Sequence, residues 1–179
     1  MPTFSDLSRA AYCPRQLYYA RRDDDRGPPP EVEARQALAF RYDELRTADD
    51  GTLADLPIEC SPPAYRDALE RLSTRADWER LCDPTERDYH VEGKDCHGRI
   101  HKLLAGEPPT PTVISPGTPP EQGVWEPQSV RAVAVANALA WERQQEIPRA
   151  LVEYPAVGVV REVELTCRRT ATYRRVLRT

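Results

Sequence analysis

Lysine is almost missing from this 179-residue chain: Lys94 and Lys102 are the only two, and arginine carries nearly all the positive charge. Phenylalanine is scarce at two residues and methionine at one. No stretch approaches the ~18 apolar residues that a membrane-spanning helix requires. The N-terminus has no basic segment followed by an apolar run, so it does not read as a secretion signal. Nor is there an internal repeat or a Cys-x-x-Cys pair. Five cysteines at irregular spacing do not make a disulfide framework. These absences point to a cytoplasmic protein whose cysteines are buried apolar groups, metal ligands or redox sites. The length fits one domain with a sizeable core. The formal charge of -4 excludes a uniformly polycationic protein.

Charge is nevertheless uneven. From residue 161 onward, Arg161, Arg168, Arg169, Arg174, Arg175 and Arg178 face only Glu162 and Glu164. Arg15, Arg21 and Arg22 form a second basic group beside Tyr18 and Tyr19. Arginine pairs bidentately with phosphate, and tyrosine stacks on unpaired bases. Arg15, Tyr18, Tyr19, Arg174 and Arg175 are therefore candidate DNA-binding residues. The competing reading is a solvated face with arginine stems laid over apolar surface.

The periodicities predict helices first and a sheet later. Residues 4–22 read as helical pieces interrupted at Pro14, with Ser5 or Ser8 as a cap. A Pro-rich loop follows at 23–30. Residues 31–47 read as a helix through Ala34, Leu38, Tyr42 and Leu45, and residues 63–82 as another through Tyr65, Leu69, Leu72 and Ala76. Strands are expected at 88–94 and 98–104 around a turn at Cys96-His97-Gly98, with Ile100 and Leu104 on one face. A short strand centred on Val113-Ile114 sits among Pro-rich loops. A helix follows from Pro127 to Arg143, then strands at 150–154 and 158–166 and a final helix. This order predicts an α/β architecture, a mixed central sheet flanked by helices, with a helical part over about 1–85 and a sheet core over about 86–179.

The opening FSDLSRAAYCPRQLYYARR carries a Tyr-Cys-Pro-Arg segment, Tyr12 to Arg15. With Gly98-Arg99-Ile100-His101, Gln128 at a helix start, and the Tyr- and Arg-rich tail, it resembles the CRISPR-associated RecB-like exonucleases. These belong to the PD-(D/E)XK nuclease superfamily. The resemblance implies that superfamily's mixed sheet, Mn²⁺- or Mg²⁺-dependent cleavage at DNA ends, and DNA and the CRISPR integrase proteins as partners. By the same resemblance His101 takes the metal-ligand position of a Gly-x-x-Asp strand, and Ser115 and Gly117 fall where Glu-x-Lys belongs. Gln128 opens the helix that follows, with Ala132 in place of the family's tyrosine. His101, Ser115 and Gln128 are thus the candidate catalytic positions, and His101 the candidate metal ligand. A hard cation needs oxygen ligands, preferably carboxylates, and a loop carboxylate such as Glu121 or Glu126 is a candidate replacement.

Cys13 occupies the position of the family's first cluster cysteine. The three clustered cysteines expected near the C-terminus are missing, so the chain reads as shortened there and a 4Fe–4S cluster is not expected. Cys82, His90, Cys96, His97 and His101 offer a zinc-type donor mixture without its usual paired spacing. The Pro119–Trp125 segment reads as a lid on the core. Two functional readings follow: a metal-dependent nuclease, and a non-cleaving DNA-binding or adaptor module on the same fold.

Overall fold

A computed structural model describes residues 1–23 and 27–179, so Asp24, Asp25 and Arg26 of the expected 23–30 loop lie outside the described residues. The architecture is α/β, with a five-stranded mixed sheet flanked by helices on both faces. The strands are β1 (Glu86–Glu92), β2 (His97–Leu104), β3 (Thr110–Ile114), β4 (Arg149–Tyr154) and β5 (Val159–Glu164), in that spatial order. Antiparallel pairing joins β1 to β2, β2 to β3 and β4 to β5. The β3–β4 pair is parallel, which demands a crossover. That crossover is α8 (Glu126–Arg143), an Ala- and Val-rich helix.

The helix α8 is buried on nearly all sides from Val130 to Leu139 because it is enclosed between the sheet and two other helices. These are α1 (Phe4–Tyr12) and α9 (Cys167–Leu177). Small side chains let the layers close up. A Cβ on Gly93 would lie 2.6 Å from the Ala138 Cα, and one on Gly98 would lie 2.7 Å from the Phe4 ring. Thr3, not Ser5 or Ser8, caps α1. Its hydroxyl accepts from the Asp6 amide, and the Asp6 carboxylate accepts from the Thr3 amide. After Cys13, α2 (Pro14–Arg22) begins with proline at its first position, as the sequence predicts.

The opposite sheet face packs on the N-terminal helices. Leu38, Tyr42, Leu45, Leu53, Tyr65, Leu69 and Leu81 form a second core with Leu104, Ile114 and Leu151. Two of these helical stretches depart from expectation by breaking. Residues 31–47 become α3 (Pro30–Ala37), a 3-10 turn at Leu38–Phe40 and α4 (Tyr42–Arg46), followed by α5 (Asp50–Ala54). Residues 63–82 become α6 (Pro62–Ser73) and α7 (Trp78–Cys82). The 3-10 turn after α3 and the C-terminal end of α7 meet at one side chain. The Lys102 ammonium, fully buried, donates to the carbonyls of Ala39 at 2.6 Å and Leu81 at 3.0 Å.

Strand β2 also departs from simple alternation: Ile100 through Leu104 are all buried. Ile100 belongs to the core under α8, whereas Leu104 belongs to the second core, so the two do not share a face. The β1–β2 register pairs Arg87 with Lys102 and Tyr89 with Ile100, and between them Asp88 takes a left-handed φ of 50°. That kink lies opposite His101, and it re-aims the side chains on either side of it.

Candidate functional site

The middle of β2, opposite this kink, borders a cavity of about 840 Å3. Its wall comes from the first turns of α1, the last turn of α2, Gly27–Pro29, Val32 and Gln36 of α3, and Arg99, His101, Pro116 and Arg131. The helix α3 is held against the end of β3 by side-chain bonds. Arg35 donates to the Pro116 carbonyl at 3.2 Å and also pairs with Glu59. Gln36 donates to the Ile114 carbonyl at 3.4 Å.

His101 is 5% exposed. Its Nδ1 accepts a hydrogen bond from the Ile114 amide at 3.0 Å. A neutral imidazole whose Nδ1 accepts carries its proton on Nε2, so the ring is a donor at its other nitrogen. Burial first, and then the nearby Arg131, Arg99 and Lys102 charges, pull its pKa down from 6.5 to about 3. The ring is therefore neutral at physiological pH.

Arg131 projects into the same cavity from α8, three residues beyond Gln128. It is half-buried, and its Nε is closed off from solvent with no hydrogen-bond partner among the described residues. Burial, with the repulsion of Arg99 and Arg9, lowers its pKa from 12.5 to about 10. Arg99, 58% exposed at its side chain, lies 3.5 Å from Asp88. Arg9 and Arg21 complete the basic lining. The one carboxylate among the described lining residues is Asp6, engaged by the Thr3 amide and 3.9 Å from Arg21.

This donor set does not suit Mn²⁺ or Mg²⁺. One imidazole nitrogen is taken by a backbone amide and the other carries a proton, and guanidinium groups outnumber the one carboxylate, Asp6, among the described lining residues. Among the described residues no three His, Cys, Asp or Glu side chains are grouped to hold a metal ion. The ligand role expected for His101 is accordingly not one the ring can play in this arrangement. What it offers is an N–H donor among cations, which is a setting for an anion.

The remaining expected residues are dispersed. Ser115 is buried at the end of β3, its amide donating to the Glu153 carbonyl at 2.8 Å and its hydroxyl accepting from Gly117 at 3.4 Å. Gln128 lines a different groove, with Tyr12 and Trp125, and its Oε1 is buried without a partner among the described residues. Ala132 is core. Glu126 lies 3.7 Å from Arg175, and neither it nor Glu121 lines the His101 cavity. The 119–125 segment is tied to β5 by Arg161, which donates to the Gly123 carbonyl at 2.9 Å and the Glu121 carbonyl at 3.4 Å. Val124 packs on the first core, whereas Trp125 is 51% exposed with its indole donating to the Thr118 carbonyl at 2.8 Å.

Cys13, partly exposed, joins α1 to α2. Cys96 is buried under α8, 3.4 Å from the Tyr173 hydroxyl, and Cys82 ends α7 by the second core. His90 and His97 meet edge to face at 5.9 Å between ring centroids, apart from the cavity that His101 lines. The zinc-type donors are thus distributed over separate sites. Tyr18 and Tyr19 are exposed and meet edge-on at 5.5 Å. They and Arg15 lie on α2, whose Ala20 and Arg21 reach the cavity. Arg174 and Arg175, on α9, do not line it.

Sequence reasoning misses Arg99 and Arg131 as site residues. A signal exists for each: Arg99 precedes His101 by two in a strand, and Arg131 is the one charged residue within the Val130–Ala140 run of a helix. No helix among the described residues is long and apolar enough to cross a membrane. Compared with protein-family models and with curated proteins, the chain matches none.

Proposed function

We propose that the chain is a relative of the CRISPR-associated RecB-like exonucleases in which the nuclease site has become a binding site for DNA phosphate. In this reading it is a non-cleaving DNA-binding or adaptor module, with DNA as its ligand. The integrase proteins of CRISPR adaptation are its expected protein partners, and the cytoplasm its location. The order of strands and the α8 crossover agree with the sheet that the resemblance implies.

One observation carries the choice of binding over cleavage. At the position where the family holds a metal-binding aspartate, His101 has its Nδ1 taken by the Ile114 amide and shares the cavity wall with Arg99 and Arg131. Metal-dependent hydrolysis needs a cation held by anionic oxygen to activate water. An arginine-lined cavity repels that cation and attracts the phosphate itself.

The test is incubation of end-labelled single-stranded DNA with purified protein, with Mn²⁺, with Mg²⁺ and with EDTA, alongside a binding titration at several salt concentrations. The expected result is intact DNA throughout and binding that weakens steeply with salt. Cleavage that EDTA stops and His101→Ala abolishes would restore the nuclease reading.

A further inference from the structure

We propose that the His101 cavity is a receptor for a terminal phosphate, the phosphomonoester at the end of a DNA strand. This rests on the DNA-binding reading and adds which phosphate is bound. Two features separate an end phosphate from an internal one. The first is depth. His101 is 5% exposed, Arg131 is half-buried, and both line the cavity, so they sit at its inner wall. A group attached at one side only can reach them. An internal diester must bring a nucleotide on each side into the same recess.

The second feature is charge. Around neutral pH a phosphomonoester carries nearly two negative charges, its second pKa being about 6, whereas a diester carries one. Arg21, Arg99 and Arg131 line the cavity, and the one carboxylate among the described lining residues, Asp6, is already bonded. A desolvated guanidinium is costly to hold without an anion, and a dianion satisfies more of this lining than a monoanion. At about 840 Å3 the space also admits the nucleoside that carries the phosphate.

The neighbouring groove supplies a place for the first base. It is lined by Tyr12, Trp125 and Gln128, and the two recesses adjoin where Ser8, a wall residue of the cavity, donates to the Pro127 carbonyl at 3.3 Å. Tyr12 and Trp125 are 69% and 51% exposed, which leaves their faces available for stacking.

The experiment measures binding of the full chain to one short single-stranded oligonucleotide made in three forms: 5′-phosphorylated, 3′-phosphorylated and hydroxyl at both ends. Nucleoside monophosphates and inorganic phosphate serve as competitors. One phosphorylated form should bind about tenfold or more tightly than the hydroxyl form, which corresponds to about 1.4 kcal/mol. That preference should vanish in Arg131→Met and in Arg99→Gln, the latter at an exposed position that leaves folding intact. Tyr12→Ala should weaken oligonucleotide binding and leave competition by inorganic phosphate unchanged. Equal affinity for all three forms overturns the terminal-phosphate assignment while DNA binding stands. Saturable nucleoside monophosphate binding without DNA binding instead supports the cavity and removes the DNA-binding reading beneath it.

Discussion

Two neighbouring residues of β2, His101 and Lys102, hold polar nitrogen in the interior in opposite ways. Lys102 is completely enclosed, and its three donors are used: Glu153 at 2.8 Å, the Ala39 carbonyl and the Leu81 carbonyl. Glu153 in turn accepts from the Thr112 hydroxyl at 2.6 Å. Its charge meets an opposite charge, and the cluster lies among Phe40, Tyr42 and leucines, with the ammonium 4.8 Å from the Tyr42 ring centroid. Across the strand, His101 satisfies one nitrogen and points into a cavity where Arg131 has no carboxylate partner among the described residues. A closed network ties elements together. An open one, with donors left over and cations crowded, is shaped for something that arrives from outside. The Lys102 cluster therefore reads as structure and the His101 cavity as function, though both derive from the same five-residue strand segment.

The sharpest way to break that contrast is to open the closed network. Lys102→Met leaves Glu153 buried without its counter-charge, which should cost about 3–5 kcal/mol of unfolding free energy. Urea denaturation checks it, and pairing the change with Glu153→Gln should recover a large part of the loss. A Lys102→Met variant as stable as the parent would show that the ion pair is not what holds the Leu38–Phe40 turn and α7 to the sheet.

A smaller effect probes the open side through pH. His101 ionises at about 3 in the folded protein, against 6.5 ordinarily. Below pH 6.5 the unfolded chain takes up this proton and the folded chain does not. Stability from this group is therefore present above about pH 6.5 and falls by about 1.4 kcal/mol per pH unit as the solution is acidified toward pH 3. His101→Asn keeps an acceptor for the Ile114 amide and removes the titration. Its stability should fall less steeply between pH 6.5 and 5, where most carboxylates are still ionised. Parallel slopes in the two proteins would mean that His101 titrates normally, and the neutral donor assigned to it would be wrong.

Much of the fold is legible in the sequence because it follows from local patterns. Pro14 and Pro127 mark helix starts, and the apolar runs around Ile100 and Val113-Ile114 mark strands. What the patterns hide is long-range. The 3-10 turn after Ala37 and the C-terminal end of α7 place carbonyls around Lys102, a requirement no helical periodicity records. The kink at Asp88 shifts the faces of β2, so strict alternation misassigns Leu104. For the site, the stretch Gly98–His101 indicates the right place but suggests a metal. The arginines that turn it toward anions come from α1, α2, β2 and α8, distant in sequence and brought together only by folding.

The smallest stability change tests the contrast most directly, because its sign is unusual. Arg131 holds a guanidinium in a half-buried position with an unpartnered Nε and with Arg99 and Arg9 nearby. A residue kept for packing should destabilise the protein when it is replaced. One kept for a ligand costs stability while the site is empty. Arg131→Met retains the straight apolar stem and removes the charge, so stability should rise by about 1 kcal/mol. DNA affinity should fall in the same variant, and the slope of log affinity against log salt should decrease by about one, the loss of one phosphate contact. Unfolding curves and salt-dependent binding on one preparation give both readouts. A variant that loses stability and keeps the parental salt slope would place Arg131 with Lys102, as part of the frame rather than of the site.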